Sequence, residues 1–206
     1  GQGISDIFES IGVDVVITGG QSMNPSTEDL VKAVESISSE HVLILPNNKN
    51  IILTAEQVSE LVEVPISVIP TKTIPQGLSA LLAFDEEKEI AENEKKMNQA
   101  LKSVQSGEVT YAVRDTVVDG LNIEKNDFLG IREGKIISSG KNMLETGYDL
   151  LSNMMTSETE VVTLLFGEDV SEDETNELVE KLSGSYPDVE YEVYEGGQPL
   201  YYFLFA

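Results

Sequence analysis

The chain has 206 residues, 13 basic against 37 acidic side chains, a formal net charge of −24, no Cys, no Trp and one His. That balance excludes a nucleic-acid footprint, which needs clustered Lys and Arg, and disfavours anionic membrane surfaces. Without Cys there is no disulfide framework, thiolate nucleophile or Cys-ligated zinc. The hydrophobic share of 40% is that of a folded protein. No apolar run nears the roughly 20 residues of a membrane span, so the expectation is a globular, cytoplasmic protein without membrane insertion. The chain opens Gly1-Gln2-Gly3 with no initiator Met, which reads as a fragment of a longer protein or a tag remnant. Residues 1–80 carry 10 acidic and 3 basic side chains and residues 81–206 carry 27 and 10, a shift from −7 to −17 that suggests two lobes.

The first lobe is read as residues 1–83. Residues 4–11 form a short amphipathic helix pattern, and Val13-Asp14-Val15-Val16-Ile17 is a β-branched run stopped by Gly19-Gly20. Leu30, Val31, Val34 and Ile37 recur at helical spacing, with Ser26 as N-cap and Asp29 three residues on. His41-Val42-Leu43-Ile44-Leu45 is a second buried strand closed by Pro46, and the helix after it ends near Val62. Its start is open, because Thr54 with Gln57 matches a capping box while residues 51–53 also suit a helix. Pro65-Ile66-Ser67-Val68-Ile69 is a third strand, and Pro75 opens a helix to Leu82. Three apolar strands alternating with helices predict a parallel sheet covered on both faces, with any ligand at the strands' carboxyl ends.

The second lobe, residues 84–206, begins with a long connecting helix over residues 84–106 that carries Ile90, Met97, Leu101 and Val104 on one stripe. Antiparallel strands follow at residues 109–113, 128–132 and 135–139, the last two joined by a Glu133-Gly134 turn. A helix spans residues 142–155, a buried strand 161–166, and a helix opened by Ser171 with Glu174 runs to Leu182. Strands at 189–194 and 200–205 close the chain. The fold class is therefore α/β: a parallel-sheet α/β lobe followed by an α+β lobe with a mixed or antiparallel sheet.

Three strand-end loops hold the residues suited to binding. In the first, Gly20, Gln21, Ser22, Asn24, Ser26 and Thr27 place glycines and hydroxyls at a helix N-terminus, chemistry fit for a carboxylate or phosphate, though Asn-Pro-Ser-Thr also reads as a capping turn. The second offers Asn47, Asn48 and Lys49, and the third Thr71, Lys72, Thr73 and Gln76. A parallel sheet would gather all three into an anion site or docking surface, or they are simply turns. Arg114 with Asp115 suggests a bidentate pair at a lobe interface. A second Gly-Gly-Gln at Gly196, Gly197 and Gln198 could face the first across a cleft, or recur by chance. His41 starts a strand and has no neighbouring His or Cys, which suits a structural histidine. No phosphate loop, nucleophile elbow, metal-ligand cluster or nucleophile–base pair can be assembled, so no catalytic residue and no metal ligand is expected.

The runs Gly-Gly-Gln-Ser-Met-Asn-Pro-Ser-Thr, Leu-Pro-Asn-Asn-Lys-Asn-Ile and Ile-Pro-Thr-Lys-Thr-Ile-Pro-Gln-Gly, with Ala112-Val113-Arg114-Asp115-Thr116, carry a resemblance over nearly the whole chain. They resemble the C-terminal region of bacterial dihydroxyacetone-kinase-like proteins, in particular the large (A) subunits of fatty acid kinases. The resemblance implies a DegV-like fold, and a parent protein whose separate N-terminal domain binds ATP and magnesium. In the DegV carriers, which supply the kinase's B subunit, the acyl carboxylate is held by a Ser/Thr-rich loop, and residues 22–27 occupy the comparable place here. The implied role is a non-catalytic module with no cofactor of its own. Its implied partners are the other domains of the same polypeptide and the kinase's fatty-acid-binding B subunit, with homodimerisation left open. The alternatives are a lipid carrier in its own right and, third, an independent enzyme.

Overall fold

In the computed structural model, which describes residues 2–19 and 24–206, the helix boundaries follow the caps written in the sequence. After α1 (Gln2–Ile11), α2 (Thr27–Glu35) opens with the full capping box. Ser26 Oγ accepts the Asp29 N–H at 3.1 Å, and the Asp29 carboxylate accepts the Ser26 N–H at 2.9 Å. β1 (Val42–Ile44) leads to α3 (Lys49–Val58), capped by Asn48, whose Oδ1 accepts the Asn50 N–H. That settles the open boundary: residues 51–53 are helical, and Thr54 lies inside the helix. After β2 (Ile66–Val68), α4 (Ile74–Leu82) is capped by Thr73, with Pro75 in its first turn where a missing N–H costs nothing.

The chain divides into two units, Ser5–Val104 and Gln105–Ala206, the latter together with the start of the chain up to Ile4. In the first unit β1 and β2 pair in parallel, Val42 with Ile66 and Ile44 with Val68. Leu30, Val34, Val42, Ala55 and Val58 make its core, so α2 and α3 pack over the strands. The strand expected at residues 13–17 is not formed: the run is irregular, with Val15 40% and Ile17 37% exposed. β-branched residues make an extended backbone favourable, but a strand exists only where a neighbouring ladder takes its N–H and C=O groups. The sheet of this unit therefore has two strands rather than three among the described residues. α5 (Ile90–Ser103) lies against α4, with Met97 fully buried beside Ile69 and Ala80 and with Leu101 packed alongside. That contact draws the helix into the first unit, so the division falls after Val104 and not at residue 83.

The second unit is a six-stranded sheet built from β3 (Gly107–Tyr111), β6 (Phe128–Arg132), β7 (Lys135–Gly140), β8 (Val161–Phe166), β9 (Glu190–Glu195) and β10 (Phe203–Phe205), with the hairpin β4 (Thr116–Val118) and β5 (Leu121–Ile123) inserted after β3. The strand order is β7-β6-β3-β10-β8-β9, antiparallel except for the β8–β9 pair, which is parallel. α6 (Met143–Met154) and α7 (Glu172–Ser185), the latter opened by the Ser171–Glu174 capping box, supply the apolar stripe for one face. Period-two alternation turns Val162, Leu164 and Phe166 of β8 and Phe203 and Phe205 of β10 into the same core as Leu150, Leu151, Leu178 and Leu182. Each such side chain contributes about 1.5–3 kcal/mol by leaving water. Both tight hairpins use the paired positive-φ turn that matches strand twist: Glu133 and Gly134 at 47° and 81°, Asp119 and Gly120 at 48° and 81°. The second hairpin was not expected; its Ile123 is buried with Ala112 and Leu129.

Glu108 of β3 is partly buried, and burial first, then the charge of Glu133, pushes its carboxyl above the ordinary 4.5. A folded-state value above the unfolded one means that ionisation costs stability as pH rises through that window. The Glu108→Gln variant should therefore melt higher than the parent at pH 7, with the gap closing as pH falls through the raised folded value towards 4.5. A gap that stays constant with pH in calorimetric scans would contradict this.

Candidate functional site

Parallel pairing of β1 and β2 sets their carboxyl ends side by side and brings two of the three expected loops together. The Asn47 N–H donates to Thr71 Oγ1 at 2.8 Å, and Thr71 is fully buried. Asn47 adopts φ 55°, and its side chain lies against Gly77, where any Cβ would collide with the Asn47 amide. The glycine is thus what lets the second loop sit against the start of α4. In the third loop the Lys72 N–H donates to Gln76 Oε1 at 2.7 Å, and the Gln76 N–H donates to Thr73 Oγ1 at 3.2 Å. Much of the hydrogen-bonding capacity of Asn48, Thr71, Thr73 and Gln76 is therefore engaged within the loops themselves. The two lysines are different. Lys49 and Lys72 are exposed, and among the described residues the ion pairs use Lys32, Lys88, Lys96 and Lys141 instead. Leu53, one turn after Lys49 on α3, is 66% exposed; sequence reading missed it, although the i, i+4 spacing to Lys49 was the available signal.

Of the first loop, Gly20, Gln21 and Ser22 lie outside the described residues. Asn24 and Ser26 are exposed and Thr27 is partly buried. Asn24, Pro25 and Asp29 line an open groove of ≈ 680 Å³ whose other side is Val16, Ile17 and Thr18. Asp29 is held below the usual carboxylate range, first by the Ser26 N–H, then by the Ser26 hydroxyl, with Lys32 adding attraction. A fixed negative charge therefore sits at the N-terminal end of α2, where the helix dipole stabilises it.

The remaining expected positions have structural explanations. Arg114 is exposed and makes no ion pair among the described residues, so the bidentate pair with Asp115 is not formed. Asp115 instead accepts the Lys125 N–H at 2.7 Å, beside the β4–β5 hairpin. Gly196 and Gly197 both donate their N–H to the Phe166 carbonyl, at 2.9 and 3.1 Å, and the Ile4 N–H donates to the Gly196 carbonyl. Gln198, 4% exposed, donates through Nε2 to the Leu165 and Tyr201 carbonyls at 3.1 and 3.3 Å. This second Gly-Gly-Gln is thus an internal brace between β8 and the approach to β10. His41 Nε2 lies 2.6 Å from Ser67 Oγ, a neighbour contact between β2 and the start of β1. Among the described residues no group of three or more His, Asp or Glu side chains is placed to hold a metal ion, and no helix is long and apolar enough to cross a membrane.

The two-unit architecture is that of the DegV proteins. A DegV family protein of Corynebacterium glutamicum superposes with a TM-score of 0.70 at 12% identity, covering 98% of this chain and 91% of that one. The fatty acid kinase B3 protein of Streptococcus pneumoniae, solved loaded with linoleic acid, gives 0.62 at 10% identity, covering 98% and 82%. A Thermotoga maritima protein described as revealing a fatty acid binding function gives 0.62 at 19% identity, covering 99% and 82%. The chain belongs to the FakA-like C-terminal family, the C-terminal region of proteins like the A component of fatty acid kinase, whose family model matches residues 1–206. Protein YloV of Bacillus subtilis is 50% identical over 204 residues, and an uncharacterised protein of Staphylococcus epidermidis is 47% identical over 206. The chain covers 37% of the length of each of these two relatives.

Proposed function

We propose that this chain is a non-catalytic module of a fatty acid kinase large subunit, which binds the acyl-loaded carrier (B) subunit or supports assembly of the kinase. Phosphorylation of the fatty acid by ATP with magnesium then belongs to a part of the longer protein outside this chain. Family membership makes the module kinase-related; the observation that carries the choice of binding partner over carrier is the Ser26–Asp29 capping box. The resemblance to the DegV carriers implies a hydroxyl-rich loop that meets an acyl carboxylate at the comparable place. Here Asp29 already accepts the Ser26 N–H there and stays ionised at neutral pH, and Glu28 shares the first turn. An incoming carboxylate at this helix end would meet like charge. The fold of a carrier with an anion in its own anion seat suits recognition of a partner that holds the lipid. A lipid-carrying role is the second reading, favoured by the part-apolar groove between residues 16–18 and Pro25.

Isothermal titration of the full-length large subunit with acyl-loaded carrier should show binding that disappears when this module is deleted. Undiminished binding after deletion would remove the partner role. Native mass spectrometry of the purified chain separates the second reading, since a stoichiometric acyl mass would make it a carrier.

A further inference from the structure

We infer that the rim formed by Lys49, Leu53 and Lys72 is the face through which this module docks, and that its counterpart is a carboxylate-bearing protein surface. This rests on the partner-binding role proposed above and locates it. Against a net charge of −24, residues 41–55 and 64–84 contain no Asp or Glu at all, and each stretch contains one lysine. The fold puts these two stretches next to each other: β1 pairs with β2, and the Asn47–Thr71 hydrogen bond ties the loops that carry Lys49 and Lys72. The first turns of α3 and α4 hold no acidic residue, whereas those of α2, α5, α6 and α7 hold one to three. The two adjoining stretches thus carry two positive side chains and no negative one of their own on a strongly negative molecule.

Three further features suit a protein surface rather than a small anion. Both lysines are exposed rather than enclosed, and the side-chain oxygens of Asn48, Thr73 and Gln76 beside them accept N–H groups of their own loops. Leu53, 66% exposed, lies one helical turn from Lys49 and gives an apolar contact beside the charge. The loops themselves are held by the buried Thr71 and the close Asn47–Gly77 contact, so the lysines are presented on a rigid support and little order has to be gained on docking. Two exposed lysines with no acidic residue in their own stretches repel basic partners and attract carboxylates, which fixes the sign of the counterpart.

The test is the full-length large subunit titrated with the carrier, in acyl-loaded and empty forms, at low and high salt. The Lys49→Glu/Lys72→Glu double variant should weaken binding about tenfold or more at roughly 50 mM salt and distinctly less at roughly 500 mM, because exposed charge attraction is screened. Leu53→Ser should weaken it at both salt concentrations. Lys49→Arg/Lys72→Arg should bind as the parent does, and Lys96→Glu, which reverses a lysine paired with Glu92, should leave binding unchanged. Circular dichroism melts of each variant confirm that the fold is retained. If the parent binds the carrier and the double reversal binds equally well, the rim assignment fails while the partner role stands. If the parent does not bind at all, the partner role itself fails. A loss confined to acyl-loaded carrier would overturn the protein-surface claim, since the lysines would then be reading the lipid headgroup.

Discussion

Replacing Phe203 by Ala should cost the second unit about 3–5 kcal/mol, the range for removing a fully buried aromatic side chain. Phe203 has no exposed surface and lies in β10, the central strand between β3 and β8. Its ring stacks on Phe205 at 5.6 Å between centroids, and its backbone registers against Val109 on one side and Phe166 on the other. The space left would be walled on both sides by hydrogen-bonded strands that cannot close in, so the cavity part of the cost is retained. Urea unfolding should show the midpoint falling sharply with an unchanged slope. A loss under about 1 kcal/mol would mean that the site collapses freely and that the sheet is less rigid than its pairing implies.

The second large effect is expected at Gln198, where Gln→Glu keeps the shape and changes one donor into an acceptor. Nε2 now donates to the Leu165 and Tyr201 carbonyls from a side chain only 4% exposed. A carboxylate there would face two carbonyl oxygens with no donor, a buried unpaired charge costing about 3–5 kcal/mol. The sign with pH is definite. The introduced carboxyl would be driven above the ordinary Glu value in the folded state, so the penalty is largest at neutral pH. It shrinks as pH falls through the raised folded value towards the unfolded one, because the folded state then takes up a proton and regains a donor. Gln198→Leu should cost less at neutral pH and show no such pH dependence. Equal losses for both variants at every pH would show that shape, not charge, governs the position.

How far the site could be read in advance differs from loop to loop. The caps at Ser26 and Ser171 were legible because a capping box is a contact within four residues, and the hairpin at Glu133-Gly134 because its turn residues determine its backbone. The Asp119-Gly120 hairpin carried the same kind of signal, with apolar residues on either side, and was overlooked. The run at residues 13–17 shows the opposite failure: its β-branched residues express a preference, but no ladder is there to satisfy it. Gly196-Gly197-Gln198 left two readings open, one side of a cleft or a chance recurrence, because a sequence cannot reveal that Phe166, far earlier in the chain, offers its carbonyl to both glycines.

By itself the sequence determined the charge sign, the capped helix starts at Ser26 and Ser171 and the alternating apolar strands of the second unit, because each depends on composition or on residues a few positions apart. Only the tertiary structure decided which loops meet, that α5 packs with α4, that Gln198 is a brace, and that the loops leading to Lys49 and Lys72 are tied together. Those outcomes depend on which strand lies beside which and on what each side chain finds at a distance along the chain, and pairing between remote segments is chosen by packing of the whole unit rather than by local preference.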